Sequence, residues 1–560
     1  MITQSASVPR ARRESSWLLS SRWLLFLWLA TLLFVARAEP PVTASEEVEL
    51  GRRIYIEGIL PSGEPLQGKR PDSVEVTGSA AACETCHRRS GMGSLEGNIV
   101  ITPITGNYLF ATEDNRPLAL VDSRAAKNLT RARAPYTEES LVKAIREGVN
   151  ISGRSMSPLM PRYALSDIEI KAVTAYLRQL STELSPGVGA DTLHFATIVT
   201  PGVDQKQSEA MVAMMRTIFS QRNAAQQARP GRMRMPIDRI PRTLRNWVLT
   251  VWELKGAPET WAAQLTENYR REPVFAVISG VSNTSWAPVH AFCQQENLPC
   301  LFPSVALLPA ETAFYSLYYS RGVALEADVL ARHLRNQGKK APRRLLQVYR
   351  DDEVGHGAAQ ALIKALQGSD VKVENCLFQG QEPAALKVAF KGLSSKDAVM
   401  LWLRPADLSA VTKAAPKKLP PVAYVSGFLA ADDYGFVTKA WKPHVRVVYP
   451  YELGAKRQKN GATMKEWLKI WKLPLVDEAF QSEVFFNLLF LTDLVSQMLD
   501  NLYRDYMVER TEDMLSLGSN VSAYPHLSLA RGQRFASKGA YIARFAPDGK
   551  LEADSEWIVP

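Results

Sequence analysis

The residues with the clearest chemical meaning are Cys83, Cys86 and His87, in the motif Cys-Glu-Thr-Cys-His that starts at Cys83. Two thiols three positions apart can each form a thioether with a haem vinyl group, and the following imidazole can then ligate the iron. The Cys-x-x-Cys spacing also occurs in thioredoxin-like redox pairs and zinc sites. A zinc site needs more ligands, yet the next cysteine is Cys293, and no βαβ pattern precedes Cys83. The motif therefore predicts one covalently bound haem c, with His87 as an iron ligand.

A second iron ligand is expected from a methionine further along the chain. Met92 lies too close to His87 to return over the opposite haem face. Met156 and Met160 both lie on a loop between two predicted helices. Met160 is favoured because Pro161 follows it, stiffens the backbone and removes a competing donor. Met156 stays open as an alternative, with simple packing against the haem edge as its other interpretation.

Three helices are expected to position these residues. The first begins near residues 45–47, and its Gly51 allows close approach by another helix. Thr137 is expected to cap the second, with acidic residues at its positive end. Ser166 and Glu169 form a capping box that starts the third. The stretch between the first helix and Cys83 is rich in Gly, Pro and polar residues, which predicts a loop.

Residues 46–181 resemble a class I c-type cytochrome of the kind found beside periplasmic dehydrogenases. The resemblance implies an all-α domain with a packed pair of terminal helices and a low-spin haem c that carries one electron at a time. It implies His/Met ligation of the iron. The matching pieces are Gly51 and Tyr55, Cys83 to His87, residues 148–153, Met160-Pro161-Arg162-Tyr163, and Ala175-Tyr176-Leu177.

The N-terminus has the pattern of an export signal. Arg10, Arg12, Arg13 and Arg22 precede an apolar run at residues 23–35, which is followed by Ala36-Arg37-Ala38. The run is shorter than the about 20 residues that span a bilayer. We expect cleavage after residue 38 and no membrane span thereafter; an uncleaved N-terminal anchor is the alternative.

Length and charge bound the rest of the chain. The 560 residues are too many for one compact core, and 46% apolar with 22% charged residues is a globular composition. Removing residues 1–38 takes away five arginines and one glutamate, which lowers the formal net charge from +10 to +6. This mild excess gives no support for nucleic-acid binding. We expect a signal peptide at 1–38, a cytochrome c domain at 39–185 and an α/β domain at 186–560.

After residue 185, apolar β-rich runs alternate with helical segments, which predicts parallel sheets with helical crossovers. Predicted strands lie at residues 193–200, 247–253, 274–279, 344–349, 398–403 and 422–426. The most apolar later run, residues 484–492, is interrupted by Asn487 and stopped by Asp493, and it is interpreted as part of a buried core helix.

This pattern resembles the type I periplasmic solute-binding proteins of the branched-chain amino-acid-binding group. The resemblance implies two α/β lobes, crossed three times by the chain, that close around a small ligand. It rests on strand 274–279 with Gly280, the polar loop 281–285, and residues 298–304, 345–349, 355–357 and 539–545.

Ligands of such sheets bind at the carboxyl ends of strands. Hydroxyls and helix-start N–H groups suit a carboxylate, and a carboxylate side chain suits an ammonium group. The alternative is that these residues are N-caps and turn residues. Cys293 and Cys300 form a candidate disulfide in an oxidising compartment. The candidate ligand residues are Ser282, Asn283, Thr284, Ser285 and Ser304, with Asp351 and Asp352 also placed at strand ends.

These features predict an exported, periplasmic one-electron carrier whose redox partner is a dehydrogenase or another cytochrome. The α/β domain either recognises a small ligand or docks the redox partner. One alternative is a ligand sensor, or the solute-binding protein of an uptake system, in which the haem is secondary. Another is an oxidoreductase that oxidises a substrate next to the haem. No catalytic constellation supports that enzyme, so an electron carrier is favoured.

Overall fold

The computed structural model describes residues 43–96, 99–111, 134–227, 245–309, 313–379, 390, 392–414, 419–499, 501–516 and 522–560. The predicted signal peptide at 1–38 lies outside the described residues. No helix in the described ranges is both long and apolar enough to cross a membrane.

In its described residues the N-terminal unit has five α-helices, a π-helical turn at Arg53–Glu57 and five short strands. Its helices are α1 (Ala44–Arg52), α2 (Glu84–His87), α3 (Gly106–Phe110), α4 (Glu138–Arg146) and α5 (Asp167–Gln179). Its strands are β1 (Gln67–Lys69), β2 (Glu75–Thr77), β3 (Ser94–Glu96), β4 (Ile99–Ile101) and β5 (Arg162–Tyr163). Strands β2, β1 and β5 form an antiparallel sheet, and β3 pairs with β4. The expectation of an all-α domain is therefore wrong, because the Gly-rich stretch before Cys83 pairs with the chain after Met160.

The predicted helix starts and helix packing are confirmed. Thr137 caps α4, and Ser166 with Glu169 forms the capping box of α5. Helices α1 and α5 pack together with Gly51 at their closest approach. A Cβ at Gly51 would lie 2.0 Å from the Ala172 carbonyl oxygen, so only glycine fits there.

The α/β unit begins with a seven-stranded sheet in which every pairing is parallel. Its strand order is β11-β9-β6-β8-β10-β12, and β7 pairs with β6. The strands are β6 (Thr192–Val199), β7 (Asn246–Glu253), β8 (Ala276–Ile278), β9 (Val281–Ser285), β10 (Cys300–Leu301), β11 (Ser304–Leu307) and β12 (Ser316–Leu317). The helices between them are α6 (Gln205–Gln227), α7 (Trp261–Arg271) and α8 (Ala287–Gln295).

A second seven-stranded sheet forms the other lobe, in the order β14-β13-β15-β16-β17-β18-β19. Its strands are β13 (Arg344–Arg350), β14 (Lys372–Phe378), β15 (Asp397–Trp402), β16 (Val422–Ser426), β17 (Val445–Tyr449), β18 (Tyr541–Phe545) and β19 (Leu551–Ala553), of which the last two are antiparallel to their neighbours. The helices are α9 (Val323–Asn336), α10 (Glu353–Ala365), α11 (Pro405–Ala414), α12 (Gly427–Ala430), α13 (Gly454–Ile470), α14 (Glu478–Met498) and α15 (Arg504–Ser516).

The chain passes between the lobes three times, as the resemblance implies. It enters the second lobe at α9, returns to the first along α14 and α15, and ends in the second at β18. The apolar run at residues 484–492 lies in α14, most of which is buried, as predicted. One prediction is wrong: residues 281–285 are not a loop but strand β9, because their backbone pairs with β11.

Candidate functional site

Helix α2 holds the last four residues of the Cys-x-x-Cys-His motif, with Cys83 at its N-cap. Cys83 precedes the turn, and its carbonyl oxygen accepts hydrogen bonds from the amides of Cys86 and His87 at 3.2 and 2.9 Å. Both cysteines are half-buried and neither is in a disulfide. Cys83 also packs against the apolar core of the N-terminal unit. Two thiols on one turn at the edge of that core are placed to react with a flat apolar group lying over it.

The ring of His87 is oriented by its backbone surroundings. Its Nδ1 lies 3.1 Å from the carbonyl oxygen of Thr102. A carbonyl can only accept, so Nδ1 carries the proton and the Nε2 lone pair is left for a metal. Burial lowers the pKa of His87 to about 4, which keeps the ring neutral. This arrangement is the one that metal-ligating histidines use, because the second hydrogen bond fixes both tautomer and ring angle.

The chain that carries Met160 returns to the haem-motif segment through β5. The Tyr163 hydroxyl donates to the Ala81 carbonyl oxygen at 2.8 Å, two residues before Cys83. Arg162 Nη1 donates to the Met160 carbonyl oxygen at 2.5 Å and fixes that turn. Met156 is on the same loop, where its amide donates to the Gly148 carbonyl oxygen at 2.8 Å. Both methionines are half-buried, so the described geometry leaves both open as ligands.

Met92 has a different environment from the other two methionines. It is only 3% exposed and belongs to the large apolar cluster that includes Leu193, Phe195 and Met211 of the α/β unit. A side chain used in that packing is not available to the haem side, which agrees with its rejection from the sequence.

The α/β unit contacts the haem-motif segment directly through α15. Arg88 Nη2 donates to Glu512 Oε2 at 2.7 Å, and the Ser90 amide donates to Glu509 Oε1 at 2.9 Å. These four residues are at most 4% exposed. This interface has no local signal in the sequence, because Ser90 and Glu509 lie 419 positions apart.

The candidate ligand residues of strand β9 are occupied by internal contacts. Ser282 Oγ accepts from Thr200 Oγ1 at 2.9 Å and reaches the Thr284 carbonyl oxygen at 3.2 Å. Asn283 Nδ2 donates to the Gly202 carbonyl oxygen at 2.8 Å. Ser285 Oγ accepts from the Ala287 amide at 3.2 Å, in the turn before α8.

The candidate residues of the second lobe are also engaged. Asp352 caps α10 by accepting from the Gly355 amide at 2.7 Å. Asp351 Oδ1 lies 2.7 Å from His356 Nε2. The turn and cap interpretation therefore accounts for both acids. Cys293 and Cys300 are buried neighbours whose thiols are hydrogen-bonded, and the candidate disulfide is not formed.

A polar cluster that sequence analysis did not assemble lies between the lobes. Glu483 Oε1 accepts from the Tyr524 hydroxyl at 2.9 Å, and its backbone carbonyl oxygen accepts from the Tyr319 hydroxyl at 3.2 Å. Asn487 Nδ2 donates to Ser279 Oγ at 2.9 Å and to the Phe302 carbonyl oxygen at 3.1 Å. The interruption of an apolar run by Asn487 was the one sequence signal of this cluster.

Glu483 is the acidic centre of that cluster. Burial raises its pKa to about 7, and the hydroxyls of Tyr524, Ser304 and Tyr451 act in the opposite direction. Tyr319 stacks on Tyr524 with ring centroids 5.2 Å apart, and Tyr451 lies 5.1 Å from Tyr524. The cleft is thus closed around its own tyrosines and one carboxyl group, and Ser304 is the one predicted ligand residue that faces this group.

Comparisons with known proteins find one likeness in a family model and others among solved structures. The cytochrome c family model matches residues 77–181, which form a cytochrome c domain, and that family implies a covalently bound haem c with its iron. The orientation of His87 and the thiols of Cys83 and Cys86 fit such a group. A comparison with curated protein sequences finds no match.

Solved structures of periplasmic binding proteins share the fold of the α/β unit. A fatty acid ABC transporter substrate-binding protein from Thermomonospora curvata matches at TM-score 0.50 and 11% identity, covering 68% of this chain and 95% of its own. A possible leucine/isoleucine/valine-binding protein from Rhodopirellula baltica matches at TM-score 0.50 and 15% identity, covering 66% and 97%. A branched chain amino acid ABC transporter structure with bound valine, from Thermus thermophilus, matches at TM-score 0.51 and 9% identity, covering 66% and 97%. At these identities the likeness establishes the two-lobed fold.

Proposed function

We propose that this protein is an exported, periplasmic carrier of single electrons with one haem c, bound by thioethers to Cys83 and Cys86. His87 Nε2 and the Met160 sulfur are the iron ligands. Residues 39–185 form the cytochrome domain and residues 186–560 the α/β domain. When bound, the haem iron supplies the change between ferric and ferrous states.

The observation that carries this proposal is the hydrogen bond from His87 Nδ1 to the Thr102 carbonyl oxygen. It presents Nε2 as a neutral ligand beside two thiols on the same helical turn. A thioredoxin-like pair does not require a histidine fixed in this way immediately after the second cysteine. A zinc site would require further protein ligands, and among the described residues no group of three or more His, Cys, Asp or Glu side chains could hold a metal ion.

The test is acid–acetone extraction of the purified full-length protein. Thioethers are covalent, so the haem should stay on the polypeptide after the iron ligands are lost. The Cys83→Ser/Cys86→Ser double variant should release its haem into the organic phase or contain none. Cys376→Ser removes a thiol remote from the motif and should behave as wild type. Haem that leaves the wild-type chain would contradict the proposal.

A second candidate function is recognition of a small molecule between the lobes of the α/β unit. It is favoured by Glu483, a carboxyl group that is 3% exposed and lies among hydroxyls from both lobes. A cleft with this composition suits a ligand that donates hydrogen bonds or carries an ammonium group. Docking of a redox partner on the closed unit is the competing role.

A thermal-shift screen of the full chain separates these roles. Amino acids, short carboxylates, alcohols and aromatic acids are the compounds to screen. A ligand at about one hundred times its dissociation constant stabilises the folded state by about 2.7 kcal/mol. Glu483→Gln should remove the shift, whereas Glu466→Gln on the exposed face of α13 should keep it. A unit that responds to no compound would support docking instead.

A further inference from the structure

The loop that follows His87 is tied to the same backbone that orients the His87 ring. The Gly93 amide donates to the His87 carbonyl oxygen at 3.0 Å and closes the loop. The Ile104 amide donates to the Gly91 carbonyl oxygen at 2.7 Å, two residues after Thr102. A displacement of residues 88–93 would therefore move the carbonyl group that holds His87 Nδ1.

This loop has a conformation that needs external support. Arg88 has a φ of +68°, which is unfavourable for a residue with a side chain. Strain of this kind persists only where surrounding contacts over-determine it. Within the N-terminal unit, the Tyr55 hydroxyl donates to the Arg88 carbonyl oxygen at 2.7 Å, and Ser181 Oγ donates to the Ser90 carbonyl oxygen at 2.7 Å.

Further support comes from carboxyl groups of α15. Glu509 accepts from both the amide of Ser90 at 2.9 Å and its hydroxyl at 2.5 Å. Glu512 Oε2 accepts from Arg88 Nη2 at 2.7 Å, and Glu512 Oε1 accepts from Arg534 Nη1 at 2.8 Å. A buried acid bound at both oxygens is costly to leave unpaired, so these contacts hold the loop firmly.

Two more contacts attach the α/β unit to the motif itself. The Arg531 guanidinium donates to the backbone carbonyl oxygens of Glu84 and Thr85, both inside the motif. Arg89 Nε lies 3.5 Å from Asp505 Oδ2 of α15, and the Arg89 guanidinium carbon lies 5.0 Å from the Phe314 ring centroid. The α/β unit thus contacts the motif at Glu84 and Thr85 and the following loop at residues 88–90.

We propose that α15 of the α/β unit is a positioning element of the haem site. Glu509 and Glu512 are positioning residues that act through Ser90 and Arg88 on the angle of the His87 ring, and they thereby set the midpoint potential of the haem. The α/β unit is then a part of the redox centre rather than a separate module joined by a linker. This inference rests on the proposed haem attachment.

The test compares midpoint potentials and low-spin haem spectra of full-length variants. Glu509→Gln keeps the side-chain volume but replaces one acceptor oxygen by a donor, so it cannot accept both Ser90 bonds. Its potential should shift beyond the scatter of replicate titrations, and the haem electron paramagnetic resonance signal should change. Glu466→Gln, an exposed acid of α13, is the matched control and should change neither.

A double-mutant cycle identifies the contact through which the effect acts. Ser90→Ala removes the hydroxyl that Glu509 binds. The change in midpoint potential caused by Ser90→Ala and the change caused by Glu509→Gln should therefore not be additive. Hydrogen exchange gives an independent result, since the Ser90 amide should exchange faster in Glu509→Gln than in wild type. If Glu509→Gln fails to fold, Glu512→Gln replaces it in the measurements of midpoint potential and spectrum.

The outcomes distinguish this inference from the proposed function. A variant series that keeps its covalent haem but shows the wild-type potential and spectrum, with only lower thermal stability, would overturn the positioning role alone. Haem that can be extracted from the wild-type chain would overturn the attachment itself. Additive shifts from Ser90→Ala and Glu509→Gln would also count against the proposed contact.

Discussion

The haem motif and the interlobe cleft differ in how their polar groups are used. At the motif, Nδ1 of His87 is bound to a backbone carbonyl oxygen, which leaves the Nε2 lone pair for the proposed iron. In the cleft, Ser282, Asn283 and Glu483 have partners within the chain. A site that binds a cofactor must keep ligand atoms available for it. In a closed cleft, by contrast, the polar groups form hydrogen bonds with one another. The contrast makes the motif the stronger functional site.

The largest expected effect concerns the sixth iron ligand. Met160→Ala should abolish the near-infrared sulfur-to-iron charge-transfer band and lower the midpoint potential, because loss of a thioether ligand favours the ferric state. Met156→Ala is the matched control on the same loop and should do neither. The reverse result would assign the ligand to Met156. If both variants kept the band, neither methionine would be the ligand.

The next effect concerns the packing that supports the motif. Gly51→Ala should destabilise the N-terminal unit by about 1–3 kcal/mol, because the new Cβ meets a backbone oxygen that cannot move aside. Denaturant titration followed by haem absorbance measures this change. Gly435→Ala is the control, as its Cβ would lie 3.3 Å from a side-chain oxygen of Asp433. Equal stability of both variants would mean that α1 and α5 do not pack as described.

The third prediction concerns buried acids of the α/β unit. Burial raises the pKa of Glu326 to about 8 and that of Glu483 to about 7, from 4.5. Between the unfolded and the folded pKa values of each group, the folded state binds more protons than the unfolded chain. The free energy of unfolding should therefore fall as pH rises from about 5 to about 8. Glu326→Gln should flatten this fall, measured by denaturant titration at several pH values. An unchanged slope in Glu326→Gln, matching that of Glu466→Gln, would contradict the assignment.

The smallest effect on stability is expected in the interlobe cleft. Ser282→Ala should cost about 1 kcal/mol, the usual net value of a lost internal hydrogen bond. Ser155→Ala, at an exposed position of the N-terminal unit, should cost nothing measurable. The contrast between motif and cleft would be weakened if Ser282→Ala left the stability unchanged but removed a ligand-induced thermal shift.

Local patterns in the sequence determined several features correctly. The capping positions Thr137 and Ser166 could be predicted because a cap involves residues three apart in the chain. The haem motif could be predicted because its chemistry lies within five residues. Strand 422–426 has the bounds that its apolar β-rich run indicated. These features depend on neighbours in the sequence, and the sequence shows such neighbours directly.

Only the tertiary structure decided how distant segments meet. Residues 281–285 became a strand because β11 supplies the backbone partners that a polar loop would lack. Strand β5 formed because β1, which lies before the haem motif in the sequence, supplies its backbone partners. Glu509 meets Ser90 across 419 positions, and neither has a local signature of the other. Burial of a carboxyl group depends on packing from all sides. The sequence by itself therefore could not determine which acids bind the loop that follows His87.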